Sequence, residues 1–568
     1  MSPDQATRRE FLKTAAAASV AIRVPSKFDQ TDFARQRTRS SDPVLLRPPD
    51  HVSARFGMLD IKPMQFGPGG WTLSGISVAA EPVAKGHDLA LPIRVRSDSS
   101  ELTFIHLRWK GRQNEATQFI GDHWERSYGD LEWRGMIPNR IMPWYCLSYD
   151  GSTLSGFGVK TQPSAFCFWQ VDKEGITLTI DLRNGGEATL LGQRELLACT
   201  VVMWRGRTGD PVARSAHQFC EKLCPSPRLP NQPLFGSNDW NYAYGKNTEA
   251  GILRDADLVA SIAPSGDVRP HIVIDDGYQD LSRFPNMAKL AFEIRSRNLR
   301  PGIWVRPLQA PGTAQPTLLL PKARFGRAGS DSAAFDPTIP EALDEILKTI
   351  RTPVDWNYEF IKHDFSTWEL FGRWGFAMDT GPTLPGWHFQ DRSRTNAEIV
   401  ADLYRAIRNT AGDRTVILGC NTVGHIAAGI FESQRIADDT SGHDWERTRR
   451  YGVNGLTHRI AQHRTFFHID PDIVAITKWV GWRETSQWMD VIARSGTSLF
   501  FAPEPGAVTP EIKSAMKDAF AIASSNASGF PTTPLQGTTP SEWTYKQPTQ
   551  ITRNYDWISP NGASPFPV

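Results

Sequence analysis

The 568-residue chain lacks several features that would assign a function class at once. Its 63 basic residues nearly balance its 61 acidic ones, so nothing favours a polyanionic partner or an anionic membrane surface. Six cysteines are too few for a disulfide scaffold in a chain of this length. They form no Cys/His cluster with zinc spacing, so we expect no structural metal and no cofactor. Neither nucleic acid nor a membrane is an expected partner.

Long apolar runs are also missing. The stretch TAAAASVAI near the N-terminus is too short for a membrane span, which needs about 20 apolar residues. It follows the paired Arg8 and Arg9 of TRREFLK, and this arrangement resembles a bacterial twin-arginine export signal. We therefore predict a signal at residues 1–25 and an exported protein, periplasmic or extracellular. An ordinary basic helix end is the alternative.

Beyond this segment, the pattern of the sequence predicts several domains. Residues 26–68 are polar and contain proline, which predicts a linker. Short alternating runs between turn residues predict an N-terminal β-sandwich over residues 69–230. Strand-like and helix-like runs then alternate over residues 231–525, which predicts a central (β/α)8 TIM barrel. An open doubly wound sheet is the competing interpretation, but no Gly-rich phosphate loop follows the first strand. Residues 526–568 predict a short C-terminal β element.

Polar side chains collect where the predicted barrel strands end. A single Asp after a strand is more often a helix cap or a turn former than a catalytic group. In a barrel, however, the C-terminal ends of all strands meet at one face, where active sites lie. The candidates are Asp239, Asp275, Asp276, Trp304, Arg306, Lys362, Asp364, Cys420, Asn421, Arg435, Asp438, Asp439 and Asp472. Two carboxylates on neighbouring strand ends, such as Asp364 and Asp439, are what cleavage of a glycosidic bond requires.

The order of the motifs carries a specific resemblance. VIDDGYQD, GIWVRP, FIKHD, the Arg435-x-x-x-Asp439 spacing and IDPDIV resemble the α-galactosidase clan, glycoside hydrolase clan D with families 36 and 27. The upstream β-domain and its stretch GDHWERSYGDLEW are similar to family 36, where an N-terminal loop reaches over the barrel mouth. The resemblance implies a retaining exo-α-glycosidase whose substrate is a carbohydrate, in the first place an α-galactoside. It also implies Asp364 as the nucleophile and Asp439 as the acid/base.

The same resemblance implies roles for the other candidates. Asp275 and Asp276 would each accept hydrogen bonds from sugar hydroxyls, and their spacing does not suit the alternative of a calcium loop. Trp304 would form an apolar wall, and Arg435 would donate to hydroxyls. Lys362 would keep Asp364 ionised or would bind a hydroxyl itself. The remaining candidates, Asp239, Arg306, Cys420, Asn421, Asp438 and Asp472, would line the pocket, although a buried core thiol is an equally good interpretation of Cys420.

Two alternatives concern the catalytic acid and the substrate. Asp438 is adjacent to Asp439 and competes with it for the acid/base role, while the spacing from Arg435 favours Asp439. Arg306 stands where family 36 commonly has Glu, which leaves α-N-acetylgalactosaminides and transfer to a sugar acceptor open. A non-catalytic carbohydrate-binding protein is the alternative from another class. The linkage preferred and the oligomeric state do not follow from the sequence.

Overall fold

The computed structural model describes residues 46–57, 60–85, 88–326, 332–525, 527–546, 550–560 and 562–563. The predicted export signal and the first part of the predicted linker lie outside these residues. In the described ranges, no helix is both long and apolar enough to cross a membrane.

The first part of the described chain is a β domain of antiparallel sheets. Its strands are β1 His51–Phe56, β2 Asp60–Pro63, β3 Gln65–Gly67, β4 Gly70–Leu73, β5 Ile76–Ala80, β6 Val83–Lys85, β7 Asp88–Ser97, β8 Leu102–Lys110, β9 Gln118–Gly121, β10 Met142–Pro143, β11 Tyr145–Tyr149, β12 Leu154–Val159, β13 Phe166–Asp172, β14 Gly175–Asp181, β15 Arg183–Asn184, β16 Glu187–Ala188 and β17 Leu196–Arg205. The linker prediction is wrong over β1, β2 and β3. The side chains of β2 are all exposed and those of β3 nearly so, hence no apolar alternation marks these strands in the sequence.

Within the described residues, two larger sheets make up the β domain. One has the order β10-β13-β14-β8-β1-β2 and the other β3-β4-β5-β7-β17-β12-β11-β9. Trp169 of the first sheet and Phe157 of the second lie with their ring centroids 6.3 Å apart, so the sheets share a core. The helix Val212–Leu223 covers β12, where glycine is required because a Cβ on Gly156 would lie 2.5 Å from the Phe219 ring.

A parallel sheet follows and closes into a barrel. Its strands are β18 Phe235–Asn238, β19 His271–Ile274, β20 Arg300–Val305, β21 Phe360–His363, β22 Val416–Gly419, β23 Ser433–Arg435, β24 His468–Asp470, β25 Ile473–Ile476 and β26 Leu499–Pro503. Their order is β24-β23-β22-β21-β20-β19-β18-β26-β25. Only Pro471 and Asp472 separate β24 from β25, so the two are halves of one interrupted strand and the sheet returns to itself. This arrangement agrees with the predicted (β/α)8 barrel.

Helices flank the barrel strands in the described ranges. The α-helices after β17 span Val212–Leu223, Trp240–Ala243, Glu249–Ile262, Met287–Ser296, Pro340–Asp355, Ser366–Phe371, Asn396–Ala411, Gly424–Ala427, Trp445–Arg447, Asn454–Arg459, Trp482–Ser495 and Pro510–Ala523. Local signals explain several starts: Thr395 and Glu398 form a capping box, and Thr509 caps the helix that begins with Pro510. An apolar cluster from the strands, including Phe360, forms the inner core of the barrel.

A short three-stranded sheet in the described part of the C-terminus completes the fold. It consists of β27 Gly529–Pro531, β28 Glu542–Tyr545 and β29 Ile551–Asn554. Beyond its last strand, the Tyr555 hydroxyl donates to Asp490 on the helix Trp482–Ser495 at 2.8 Å. A β element therefore lies within the C-terminal segment, as the sequence predicts, and it contacts the barrel.

Candidate active site

Asp364 directly follows β21 and is held at the barrel mouth by two donors. Trp304 Nε1 donates to its Oδ2 at 3.1 Å, and the Phe365 N–H donates to its Oδ1 at 2.7 Å. Phe365 adopts a φ of +65°, which turns the chain sharply into the helix Ser366–Phe371. The carboxylate is half-buried, so it remains accessible from the mouth.

Lys362 lies two residues before Asp364, on the same face of the strand. Its Nζ lies 2.6 Å from Asp275 Oδ2, and both side chains are buried. Asn238 donates to the same oxygen at 2.9 Å. Burial alone would lower the pKa of Lys362, but the adjacent Asp275 carboxylate outweighs it and the pKa is raised. The direct partner of Lys362 is therefore Asp275, whereas Asp364 is bound by Trp304.

Asp239 and Asp276 lie beside the Lys362–Asp275 ion pair, and the pKa of each carboxyl is raised. Asp239 accepts from the side chain of Asn247 at 2.7 Å and from the Asp275 N–H at 2.8 Å. Burial, and then the nearby charge of Asp275, raises the pKa of Asp239 to about 7. The same two causes raise the pKa of Asp276. Near neutral pH, Asp239 can thus donate a hydrogen bond as well as accept one.

Arg435 organises a second group of carboxylates at the ends of β23 and β24. Its guanidinium lies 3.1 Å from Asp470, 2.5 Å from Asp472 and 3.4 Å from Asp439. Asp472 has a φ of +83° at the break between β24 and β25, and it also accepts from the N–H and hydroxyl of Thr440 at 2.7 and 2.9 Å. The interrupted strand thereby places a carboxylate against Arg435.

A loop of the β domain completes this group. Arg126 lies in the stretch GDHWERSYGDLEW, and its guanidinium contacts Asp438 at 2.9 Å and Asp439 at 3.1 Å. The backbone is joined as well, because the Ser127 N–H donates to the Ile436 carbonyl and the Asp438 N–H to the Ser127 carbonyl, both at 2.9 Å. The loop therefore pairs with the chain that follows β23. It places the buried guanidinium of Arg126 against Asp438 and Asp439, the two candidates for the acid/base role.

Asp438 and Asp439 differ in their accessibility. Asp438 is held between Arg126 and Arg447, which lies 3.0 Å away, and its side chain is 9% exposed. The Asp439 side chain is 22% exposed. The side chains of Asp470 and Asp472 are 3% and 2% exposed. Of these four carboxylates, Asp439 is the one best placed to exchange a proton with a bound molecule.

Three other predicted residues are engaged by the protein itself. Arg306 pairs with Glu369 at 2.6 Å. Asn421 is fully buried and donates to Glu125. Cys420 is buried 4.0 Å from Arg126, and burial together with the charge of Asp364 raises the pKa of its thiol. Their predicted contacts with a sugar remain predictions.

Several residues of the site were not selected from the sequence. Glu125 and Arg126 lie within a motif that marked the loop but not the side chains. Glu369 follows Asp364 in a short helix and shows no signal of its own, although burial raises its pKa to about 7. In the described residues, no group of three or more His, Cys, Asp or Glu side chains is arranged to hold a metal ion.

Solved structures share this architecture. The α-galactosidase TtGalA from Thermus thermophilus, in complex with p-nitrophenyl α-D-galactopyranoside, is 17% identical, with a TM-score of 0.57 over 84% of this chain and 99% of its own. The family 36 α-galactosidase AgaA from Geobacillus stearothermophilus is 13% identical, with a TM-score of 0.57 over 88% of this chain and 77% of its own. An α-galactosidase from Lactobacillus brevis is 12% identical, with a TM-score of 0.54 over 84% and 70%.

No family model matches the chain, and no curated protein matches it. At these identities the structural likeness establishes the common fold.

Proposed function

We propose that the protein is a retaining exo-α-glycosidase that acts on α-galactosides, with Asp364 as nucleophile and Asp439 as acid/base. The observation that carries this proposal is the convergence of both carboxylates on one buried group. Arg126 lies 3.1 Å from Asp439 and 4.0 Å from the Cys420 sulfur, and the Cys420 N–H donates at 2.8 Å to the carbonyl of His363, the residue before Asp364. The fold shared with α-galactosidases supports the substrate class.

Each carboxylate would carry out a defined step. Asp364 attacks the anomeric carbon and forms a glycosyl-enzyme ester while the bond to the leaving oxygen breaks, and that oxygen takes a proton from Asp439. Asp439 then accepts a proton from water, and the resulting hydroxide displaces Asp364 and releases the sugar with its original configuration. This reaction needs the two carboxyl groups about 5–5.5 Å apart.

The charge balance of the second group favours a proton on the acid. Three guanidiniums, those of Arg126, Arg435 and Arg447, face the four carboxylates of Asp438, Asp439, Asp470 and Asp472. Within this group, burial and the charges of Asp439 and Asp470 raise the pKa of Asp472 against the opposing charges of Arg435 and Lys362, so the carboxylates disfavour one another's ionisation. Since Asp439 is the most exposed of the four, it is the one that would deliver a proton to the leaving group.

The residues around the Lys362–Asp275 ion pair would bind the terminal sugar. Asp275 and Asp276 accept from hydroxyls, Lys362 donates to them, and Trp304 presents its ring beside Asp364. Arg306, Cys420 and Asn421 would shape the pocket by fixing the positions of the side chains that they contact. This assignment follows the resemblance and the placement of the residues at one barrel face.

The principal experiment measures hydrolysis of a panel of nitrophenyl α-glycosides. We expect turnover of the α-galactoside and loss of activity in Asp364→Ala. Azide should partly rescue Asp439→Ala on an activated substrate and give the α-galactosyl azide, because it opens the glycosyl-enzyme ester. In Asp364→Ala, azide can only replace the nucleophile and would give the β-product.

Three results would contradict the proposal. Undiminished turnover in Asp364→Ala would show that Asp364 is not the nucleophile. Formation of the β-galactosyl azide by Asp439→Ala would show that Asp439 is not the acid/base. Calorimetric binding of galactosides without any hydrolysis would favour a carbohydrate-binding protein instead.

Export by the twin-arginine route is a further part of the proposal, supported by Arg8 and Arg9 in TRREFLK. We expect a periplasmic or extracellular protein that stays in the cytoplasm when both arginines are changed to lysine. Equal fractionation of the two forms would contradict it.

A further inference from the structure

A line of aromatic rings connects the nucleophile to the Arg126 guanidinium. It begins at Trp304, which donates to Asp364. The Trp304 ring centroid lies 6.3 Å from that of Phe365, and Phe365 lies 5.9 Å from Trp374. Arg126 Cζ then lies 5.9 Å from the Trp374 centroid. The rings therefore pass from one catalytic carboxylate to the cation that contacts the other.

The line continues from Arg126 to the surface. Arg126 Cζ lies 5.8 Å from the Tyr128 centroid, and Tyr128 lies 5.7 Å from Phe376. Phe376 is 57% exposed, which is unusual for so large an apolar side chain. Tyr128 and Trp374 are half-buried. The outer end of the line thus offers three partly accessible rings, two of which lie against the guanidinium that contacts Asp439.

These rings belong to a built surface, although they come from two parts of the chain. The buried carboxylate of Glu125 accepts from the Tyr128 hydroxyl and, at 2.9 Å, from the Gly375 N–H. Gly375 has a φ of +55°, and a Cβ there would meet the Tyr128 ring at 3.0 Å. Glycine at this position therefore lets Tyr128 pack closely against the segment that carries Trp374 and Phe376.

The chemistry of the reaction defines which part of a substrate meets this surface. The acid/base protonates the leaving oxygen, so the leaving group must lie on the Asp439 side of the cleaved bond. Tyr128 and Trp374 flank the guanidinium that contacts Asp439. We propose that Tyr128, Trp374 and Phe376 form a binding surface for the leaving group, and that this group has a flat apolar face, as an aryl ring or a second pyranose ring has. This inference rests on the proposed function.

Trp479 is another exposed aromatic side chain at the barrel mouth. Trp479 is 59% exposed and packs near His443, with ring centroids 5.5 Å apart. It follows β25 and has no described ring contact with the Arg126 side. Trp479→Ala therefore removes an equally exposed aromatic side chain from the same end of the barrel and serves as the matched control.

The test compares substrates with large and small leaving groups. Fluoride is a single atom, so α-galactosyl fluoride cannot reach the proposed surface, whereas p-nitrophenyl α-galactoside can. We expect Phe376→Ala to lower kcat/KM for the aryl substrate roughly 3- to 10-fold more than for the fluoride, as loss of an aromatic contact would. Trp479→Ala should change both substrates by the same factor. Trp374→Ala should act in the direction of Phe376→Ala.

A binding measurement separates this inference from the proposed function. In the Asp364→Asn background, calorimetry with p-nitrophenyl α-galactoside and with galactose should show that Phe376→Ala weakens binding of the aryl ligand selectively. If Phe376→Ala lowers kcat/KM equally for both substrates, or if Trp479→Ala alone shows a selective loss, the leaving-group surface is overturned. The proposed glycosidase function would still stand in either case. Absence of both hydrolysis and binding of α-galactosides would overturn both.

Discussion

Replacing Arg126 with alanine tests whether the β-domain loop stabilises the ion pairs of Asp438 and Asp439. The guanidinium is 3% exposed and lies 2.9 Å from Asp438 and 3.1 Å from Asp439. Removing one partner of a buried ion pair costs about 3–5 kcal/mol, because the remaining charge is left uncompensated. Asp438 keeps Arg447, and Asp439 keeps Arg435. We therefore expect the lower end of this range, about 3 kcal/mol.

Hydrogen exchange of backbone amides is the suitable assay, because a multidomain chain does not unfold in one two-state step. The amides of Ser127 and Asp438 bond across the junction between the loop and β23, both at 2.9 Å. They exchange only when this junction opens. A loss of about 3 kcal/mol from the free energy of opening corresponds to roughly 100-fold faster exchange. Peptides covering residues 124–130 and 436–439 would report it.

The effect should also depend on pH in a defined direction. Without Arg126, Asp438 and Asp439 each lose a guanidinium that favours the ionised carboxylate, so the folded variant binds protons more tightly than the folded wild type does. A group whose pKa is raised by folding stabilises the protein at low pH and loses this contribution as the pH rises. The difference between Arg126→Ala and the wild type should therefore be largest near pH 7 and smaller near pH 5.

A second buried arginine provides the control. Arg408 lies 2.7 Å from Glu432, and both side chains are buried. This pair lies before β23, away from the barrel mouth. Arg408→Ala should not speed exchange in the loop peptides. Acceleration of less than roughly threefold in Arg126→Ala, or equal acceleration in both variants, would refute the reasoning.

Three further predictions concern Asp239, the Lys362–Asp275 ion pair and the Cys420 thiol. Burial raises the pKa of Asp239 from 3.8 to about 7, so its stabilising contribution should be lost as the pH rises between these values, and the denaturation midpoint of the wild type should fall relative to that of Asp239→Asn; a constant difference between the two midpoints would contradict this. Lys362→Met should lower the calorimetric midpoint because Asp275 loses its cation, and adding Asp275→Asn should recover part of the loss; a double variant no more stable than Lys362→Met would refute it. Cys420 should resist iodoacetamide in the native protein because burial raises the pKa of its thiol; peptide mass spectrometry showing rapid labelling would disprove this.

The barrel could be predicted because its strands leave a strong signal in the sequence. HIVI of β19 and VILG of β22 are buried at every position, as expected of parallel strands covered on both faces. A polar residue lies within two positions of each run where the strand reaches the mouth, Asp275 after β19 and Asn421 after β22. The strands β2 and β3 leave no such signal because their side chains are largely exposed. Fold prediction succeeds here where burial imposes a pattern and fails where it does not.

The contacts within the site were less accessible to prediction. Lys362 and Asp364 share one strand face, so the sequence indicates a partnership, but the ammonium pairs with Asp275, which follows β19, the next strand but one in the sheet. Arg126 reaches Asp439 across 313 residues of sequence. Such contacts depend on how strands and domains pack, and local spacing carries no information about them.

The choice between Asp438 and Asp439 shows how the second domain enters the chemistry. The two residues are adjacent, and the motif alone leaves both available. In the folded protein, Arg126 and Arg447 enclose Asp438, while Asp439 shares its guanidiniums with other acids and keeps the greater exposure. Both aspartates therefore face two guanidiniums, and the greater exposure of Asp439 is the physical ground on which it is proposed as the acid/base. Under the proposed function, the β-domain loop takes part in separating the two roles, because Arg126 contacts both aspartates and leaves Asp439 the more accessible.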